Sequence, residues 1–457
     1  MTKNSSNIIK SFLNDFPEIF HSPQKVNAYL QDYSKNIEEI IVKDFVNFGL
    51  KDDFAIYANG GFGRQELYPS SDIDLSIIQK KKNINNSDNL EKFIAKLWDL
   101  GLQVGHSVRT IKDIKKIAKE DPKEFTSYLT RRPLLTNKKT DESINLALSK
   151  IWSKKKFYKV KLSEQEERYK SFFSTEYNLE PNLKESPGTL RDFQTSLWIL
   201  QHCFDLENID GIKKSKEFGN EIEEVINSYN FVKTMRYITN IISNKNRLTF
   251  EIQVEIADKA KLKEGTTKRS VEKLMQKFYE NASNLSNFNN LVFEKFKEQN
   301  QFAITKNYGE FFVRGSKIGL KKDANLEKQK ELIFDIFIAI GKSKKINAIE
   351  TSSMSLLKNN LNLIDTNFRN DQKHASKFLE ILKSQYNLSS ILKSMKSIGV
   401  IQKYIPELDE VIGQMQFDLF HVYTVDEHTF KVVRNMRQMH IHYVEEFKLE
   451  YELINKL

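Results

Sequence analysis

Cysteine is almost absent: Cys203 is the only one in 457 residues. That excludes an intramolecular disulfide framework and a cysteine-based zinc site. Cys203 lies in an apolar helical segment, so buried packing is its expected role. No apolar run reaches membrane-spanning length, and no charged-then-apolar leader opens the chain. A soluble, cytoplasmic protein with no membrane partner is the expectation. Proline is scarce, at 8 residues, and glycine reaches only 16, so the places where they cluster carry information. Also missing is a stripe of arginines interleaved with aromatics, the mark of a nucleic-acid groove. The net charge of +10 favours acidic partners such as nucleotides or an acidic protein surface. The lysines are scattered, however, and runs such as 80–82 and 154–156 look like solvated surface.

What is there centres on Gly60-Gly61-Phe62-Gly63-Arg64-Gln65-Glu66-Leu67-Tyr68-Pro69-Ser70-Ser71-Asp72-Ile73-Asp74-Leu75. An apolar run from Phe54 to Ala58 leads into the paired glycines, and Asp-x-Asp opens a second apolar run. On a strand, Ile73, Leu75 and Ile77 face a core while Asp72 and Asp74 share the other face. Two carboxylates side by side repel. A divalent cation removes that cost, and Mg²⁺ is usually held by one or two carboxylates plus substrate phosphates. Glycines at 60 and 61 let the backbone N–H groups approach phosphate oxygens. Gly-rich turns and Asp-x-Asp are each commonplace alone. Strand, Gly-Gly, loop and Asp-x-Asp together point to metal-dependent phosphoryl or nucleotidyl transfer.

The length allows two or three domains. Residues 1–50 read as helices, with Val26, Leu30, Ile37, Ile40, Ile41 and Phe45 at roughly helical spacing. Ser87 to Leu100 is an amphipathic helix, and Gly101 to Thr110 a strand, which completes a compact α/β unit over residues 51–145. Residues 111–300 look almost wholly helical. One interruption, Asn178 to Asp192, holds two prolines and a glycine that forbid a continuous helix. Its charges (Glu180, Lys184, Glu185, Arg191, Asp192) belong either to a functional loop or to an ordinary linker with Asp192 near the next helix start. Phe302 to Lys321 is hairpin-like and marks a boundary, with helices resuming near Leu326. Near the C-terminal end, Gln414 to Thr429 gathers Asp418, His421, Asp426 and His428, with Thr424 or Asp426 placed to cap a helix. A single helix cannot complete a metal site, so a structural role is favoured there.

Six stretches in order (Gly60–Leu75, Leu97–Thr110, Leu179–Asp192, Arg247–Phe250, Val271–Met275 and Gln414–Thr429) resemble the bacterial PII uridylyltransferase/uridylyl-removing enzyme family. The Leu-Glu-Pro-Asn-x-Lys-Glu-x-Pro-Gly-x-Leu-Arg-Asp and His-x-Tyr-Thr-Val-Asp-Glu-His-Thr stretches are the most specific. The resemblance implies an α+β, mostly helical fold. A small polymerase-beta-like nucleotidyltransferase core at 51–145 would follow N-terminal helices at 1–50. A helical uridylyltransferase-associated domain at 146–305 and an incomplete HD-type, uridylyl-removing region at 306–457 would come after it.

The implied reaction is transfer of UMP from UTP to a tyrosine of the PII protein. Asp72 and Asp74 would hold Mg²⁺. Gly60, Gly61, Arg64, Ser71, Arg109, Lys184 and Arg191 would bind substrate. His428 resembles the first metal-binding histidine of the HD helices. Two departures stand out. Where a third carboxylate is expected the chain has Gln103, with Asp113 just beyond as a substitute. The His-Asp doublet and the glutamine-sensing ACT domains are missing, so the uridylyl-removing activity is expected to be lost or incomplete. Apolar residues such as Phe430, Val433 and Met436 are expected to be exposed. Two alternatives follow: an inactive remnant that still binds PII or nucleotide, and a nucleotidyltransferase with another acceptor.

Overall fold

A computed structural model describes residues 3–69, 71–81, 86–172, 175–262, 267–300, 304–415, 424–441 and 448–454. The fold is α+β and mostly helical. The chain divides into two compact units. The first contains residues 1–176, 180–274 and 284–293, and the second 177–179, 275–283 and 294–457. Among the described residues no helix is long and apolar enough to cross a membrane.

The first unit is built on a four-stranded sheet of β1 (Phe54–Ala58), β2 (Ile73–Gln79), β3 (Val104–Arg109) and β4 (Arg132–Leu135), ordered β3-β2-β1-β4. β1 runs antiparallel to both β2 and β4, whereas β2 and β3 are parallel. Parallel neighbours need a crossover, and the helix Ser87–Asp99 supplies it. Its Leu90, Phe93, Ile94 and Leu97 meet Ile37, Ile41 and Phe45 of the helix Val26–Asn47 over one face of the sheet. Ile73, Leu75 and Ile77 enter that core, so the alternation expected of β2 holds. The opposite face carries Asp72 and Asp74, both accessible to solvent.

β4 interrupts the stretch read as wholly helical. Pro133 hides it from propensity reasoning, because proline cannot donate to a ladder and is confined to edges and bulges. β4 is an edge strand, and its register with β1 shifts between Ile56 and Tyr57.

The segment from Glu180 to Thr189 is an ordered loop that leads into the helix Leu190–Phe204. Asn182 Oδ1 accepts from the N–H groups of Lys184 and Glu185, both at 3.0 Å. The loop is pinned to residues 246–248, since Leu183 N–H donates to Asn246 O at 2.8 Å and Leu248 N–H to Pro181 O at 2.9 Å. Asp192 is completely buried in the first turn of the helix Leu190–Phe204. Cys203, on the same helix, is buried as expected, and burial pushes its thiol up to about 12.

The second unit holds a second sheet of β5 (Thr305–Tyr308), β6 (Phe311–Arg314), β7 (Lys317–Leu320) and β8 (Ala348–Ile349), ordered β5-β6-β7-β8. The expected hairpin is thus a three-stranded meander joined by a short parallel strand. Ile318, Leu320 and Ile349 share a core with the apolar helix Leu332–Gly341. Phe430 and Val433 pack against that core instead of being exposed, while Met436 is exposed. Asp426 does not cap the helix Val425–Ile441. It pairs with Lys396 and accepts from Gly413 N–H at 3.2 Å, so a buried ammonium takes its charge.

Candidate functional site

The antiparallel pairing of β1 and β2, connected through residues 59–72, brings Gly60 against Asp74. Asn59 N–H donates to Asp74 O at 2.9 Å, which sets the register at the end of β1. The chain then turns through the short helix Gly60–Gly63. Gly60 adopts φ +53°, where a side chain is strained, and a Cβ there would stand 2.7 Å from Asp74 Oδ2. Gly63 is equally constrained: its Cβ would lie 2.8 Å from both Ala58 O and Thr130 O. Among the described residues the N–H groups of Gly60 and Gly61 meet no acceptor. A reverse turn delivers the acids, with Ser71 N–H donating to Tyr68 O at 3.0 Å and Ser71 Oγ accepting from Tyr68 N–H at 3.3 Å. The Ser71 hydroxyl is therefore engaged in shaping the turn.

Asp74 is accessible to solvent, yet the protein around it desolvates its charged form. That burial first, and the negative charge of Asp72 second, raise its pKa above the ordinary carboxylate value. Lys184 and Arg64 act in the opposite direction. The two carboxylates and the positive charges of Lys184 and Arg64 therefore share one electrostatic environment. Lys184 comes from the Glu180–Thr189 loop, more than a hundred residues along the chain. Its own pKa is lowered, by burial and then by the charges of Arg191 and Arg236.

Arg191 pairs with Glu185 at 3.0 Å and donates to Gln194 Oε1 at 3.2 Å. Arg64 pairs with Glu66 at 2.9 Å. Sequence reasoning missed Glu66, which also meets Lys233 at 3.5 Å and the Tyr229 hydroxyl at 2.9 and 3.0 Å. Burial opposes ionisation of Glu66, but Lys233 and Arg64 hold its carboxyl below the ordinary value. Lys233 and Tyr229 lie on the helix Ile222–Ser243, so this ion cluster ties the Gly-Gly loop to the helical part of the same unit. An acid two residues after Arg64 in the loop was its only sequence signal.

Two expected partners lie elsewhere. Arg109 sits opposite Ile78 in the β2–β3 register, whereas Gly105 is opposite Asp74. The offset of four residues is roughly 13 Å along the strand. Arg109 is moreover held by both oxygens of Glu124, at 2.6 and 3.1 Å, and by the Tyr128 hydroxyl at 3.1 Å. Asp113 is no third carboxylate. It forms a capping box with Thr110 at the start of the helix Ile111–Glu120, and hydrogen bonds from the Thr110 side chain and backbone lower its pKa. Gln103 is exposed, and Gly105 offers no side chain beside Asp74. In the second unit His428 is exposed on its helix, while His421 and Asp418 lie outside the described residues. Among the described residues no three histidine, cysteine or acidic side chains are placed to hold a metal.

Two oxygen donors at the start of β2, Asp72 just before it and Asp74 within it, suit a hard cation that takes its remaining ligands from water and phosphate. The space a Cβ at Gly60 would fill keeps Asp74 Oδ2 open. The arrangement thus fits Mg²⁺ held jointly by the protein and a polyphosphate.

Residues 156–293 match the family described as GlnD PII-uridylyltransferase, and residues 311–404 match the uridylyltransferase GlnD third domain. Together these stretches take in just over half of the chain. The chain is 31% identical to the bifunctional uridylyltransferase/uridylyl-removing enzyme of Ectopseudomonas mendocina, over 96% of this chain and 50% of that protein. It is also 31% identical to the protein of that name from Hydrogenovibrio crunogenus, over 98% of this chain and 53% of the relative. The Pseudomonas fluorescens counterpart is 30% identical over 96% and 50% respectively. The chain spans about half the length of the curated relatives it matches.

Proposed function

The chain belongs to the GlnD PII-uridylyltransferase family, and on that premise we propose that it transfers UMP from UTP to a tyrosine of a PII-type signal protein. The observation that carries this reading is the pair Asp72 and Asp74 on the accessible face of β2, with Gly60 against Asp74 and the charge of Lys184 acting on it.

Asp72 and Asp74 would hold Mg²⁺. The bound ion would neutralise charge developing around the α-phosphate and favour ionisation of the attacking hydroxyl. Gly60 and Gly61 would present N–H groups to phosphate oxygens, and Lys184 with Arg64 would add positive charge. The tyrosine oxygen of the acceptor bonds to the α-phosphorus as the bond to the β-phosphate bridging oxygen breaks. Pyrophosphate leaves with the electron pair, and the phenolic proton is released. No side chain of this protein need become a covalent nucleophile, because positioning and electrostatics carry such transfers.

Incubating the full chain with PII, labelled UTP and Mg²⁺ tests the reading. One label per acceptor tyrosine and one pyrophosphate per label are expected; an unlabelled PII under conditions where a longer relative labels it would overturn the proposal. The non-catalytic reading draws on Gly105 opposite Asp74, which leaves two carboxylates where many nucleotidyltransferases use three. Turnover well above that of an Asp72/Asp74 double variant eliminates it.

The Gly60 geometry yields its own expectation. Gly60→Ala would place a methyl group against Asp74 Oδ2 and strain the backbone, so a side-chain shift of about 1 Å should slow labelling by roughly 10- to 100-fold. The strain alone should cost about 1–2 kcal/mol, read as a lowered midpoint in thermal unfolding.

A further inference from the structure

The helix Ile222–Ser243 is buried at every position from Ser228 to Asn240 except Arg236. No carboxylate pairs with Arg236 among the described residues. Its guanidinium carbon instead lies 4.0 Å over the Tyr68 ring. Tyr68 begins the turn that delivers Asp72, through the paired contacts with Ser71. Arg236 Nε donates to Asn246 Oδ1 at 2.8 Å. The backbone carbonyl of that asparagine accepts from Leu183 N–H at 2.8 Å, one residue before Lys184, and Lys184 O in turn accepts from Arg191 N–H at 3.0 Å. Asn246 thus anchors Arg236 through its side chain and the Lys184 loop through its backbone. Lys184 also forms no ion pair among the described residues.

We propose that Arg236 and Lys184, both set by Asn246, form a clamp for the polyphosphate chain of the nucleotide beside Asp72 and Asp74. The clamp deepens the nucleotidyl-transfer reading and rests on it for the identity of the ligand. Arg236 bears on Lys184 as a like charge: burial first, then Arg191 and Arg236, lower the Lys184 pKa, with Glu185 and Asp74 acting in the opposite direction. A polyanion relieves the repulsion. The Tyr68 ring lies against the guanidinium carbon, and the bond to Asn246 uses only its Nε. The remaining edge has the fork geometry that matches phosphate oxygens. A purely structural cation–π contact would ask only for a cation over the ring, with no second cation anchored to the same asparagine.

Titration calorimetry of the full chain with Mg²⁺–UTP and with inorganic tripolyphosphate tests the clamp. Arg236→Gln and Lys184→Met should each weaken both ligands by roughly ten- to a hundredfold, the loss of one charge-assisted contact. The salt dependence of tripolyphosphate binding should flatten, and Arg236→Lys should recover part of the affinity. Wild-type affinity for tripolyphosphate in folded Arg236→Gln overturns the proposal, as does failure of the wild type to bind tripolyphosphate. If Arg236→Gln does not fold, Lys184→Met decides alone, because it breaks no ion pair. Labelling of PII by the wild type with both variants binding normally removes the clamp and leaves the transfer reading standing. Lost tripolyphosphate affinity in the variants, with no labelling by the wild type, does the reverse.

Discussion

Asp74→Asn is expected to abolish labelling of PII while making the free protein more stable. The amide is nearly isosteric, so packing survives, but it cannot share the charge of a bound cation. The loss should be on the order of a thousandfold or more, the scale of removing a central electrostatic stabiliser. The stability gain follows from the raised pKa of Asp74, caused by burial and then by Asp72. A carboxyl whose folded-state pKa lies above its unfolded value binds a proton more tightly when folded. Stability therefore falls as pH rises through the window between the two values, and at neutral pH the ionised group costs stability. Asparagine removes that cost. The melting-temperature gap over wild type should be present at neutral pH and close below the ordinary carboxylate range, where Asp74 is neutral in both states. Mg²⁺–UTP should then reverse the order, since it stabilises only the form that binds it. An Asp74→Asn protein that labels PII at the wild-type rate would remove Asp74 from the chemistry.

The Asp72–Asp74 pair was legible because every signal for it is local. Period-two alternation sends Ile73, Leu75 and Ile77 inward, and the glycines sit in the turn just before the strand. Glu66 was not legible, because its partners Tyr229 and Lys233 stand 163 and 167 positions away, beyond any periodicity. Arg236 is invisible for the same reason. Arg109 misled in the opposite way: an arginine on a strand after the motif suggests a phosphate ligand, but Glu124, fifteen residues on, takes both its terminal nitrogens. The Glu180–Asp192 stretch was open between functional loop and linker, and the structure divides it. Lys184 is directed into the environment of Asp74, whereas Asp192 is a structural clamp.

That clamp carries the largest expected effect on stability. Asp192 Oδ1 accepts from Arg168 Nη2 at 2.5 Å, and Oδ2 accepts from the Tyr169 hydroxyl at 2.7 Å and Gly188 N–H at 2.6 Å. Arg168 Nη1 also donates to Glu185 O at 2.6 Å, so one guanidinium ties the helix Lys154–Lys170 to both ends of the Lys184 turn. Arg168→Met keeps the volume but leaves a fully buried carboxylate without its counter-charge. Breaking a buried pair from one side costs about 3–5 kcal/mol, to be measured as a shift in denaturant midpoint at unchanged slope. The unpaired Asp192 would have its folded-state pKa driven further up. The deficit should accordingly shrink in mildly acidic solution, where the carboxyl takes up a proton, and be full at neutral pH. Adding Asp192→Asn should recover part of the loss, since the orphaned charge is what makes the single change costly. The active site should feel the change without touching it. A loosened Glu185 carbonyl frees the turn that sets Lys184, so UTP affinity should fall in Arg168→Met under conditions where the protein is still folded. Unchanged stability of Arg168→Met at neutral pH would show that the ion pair is not what holds the loop in place.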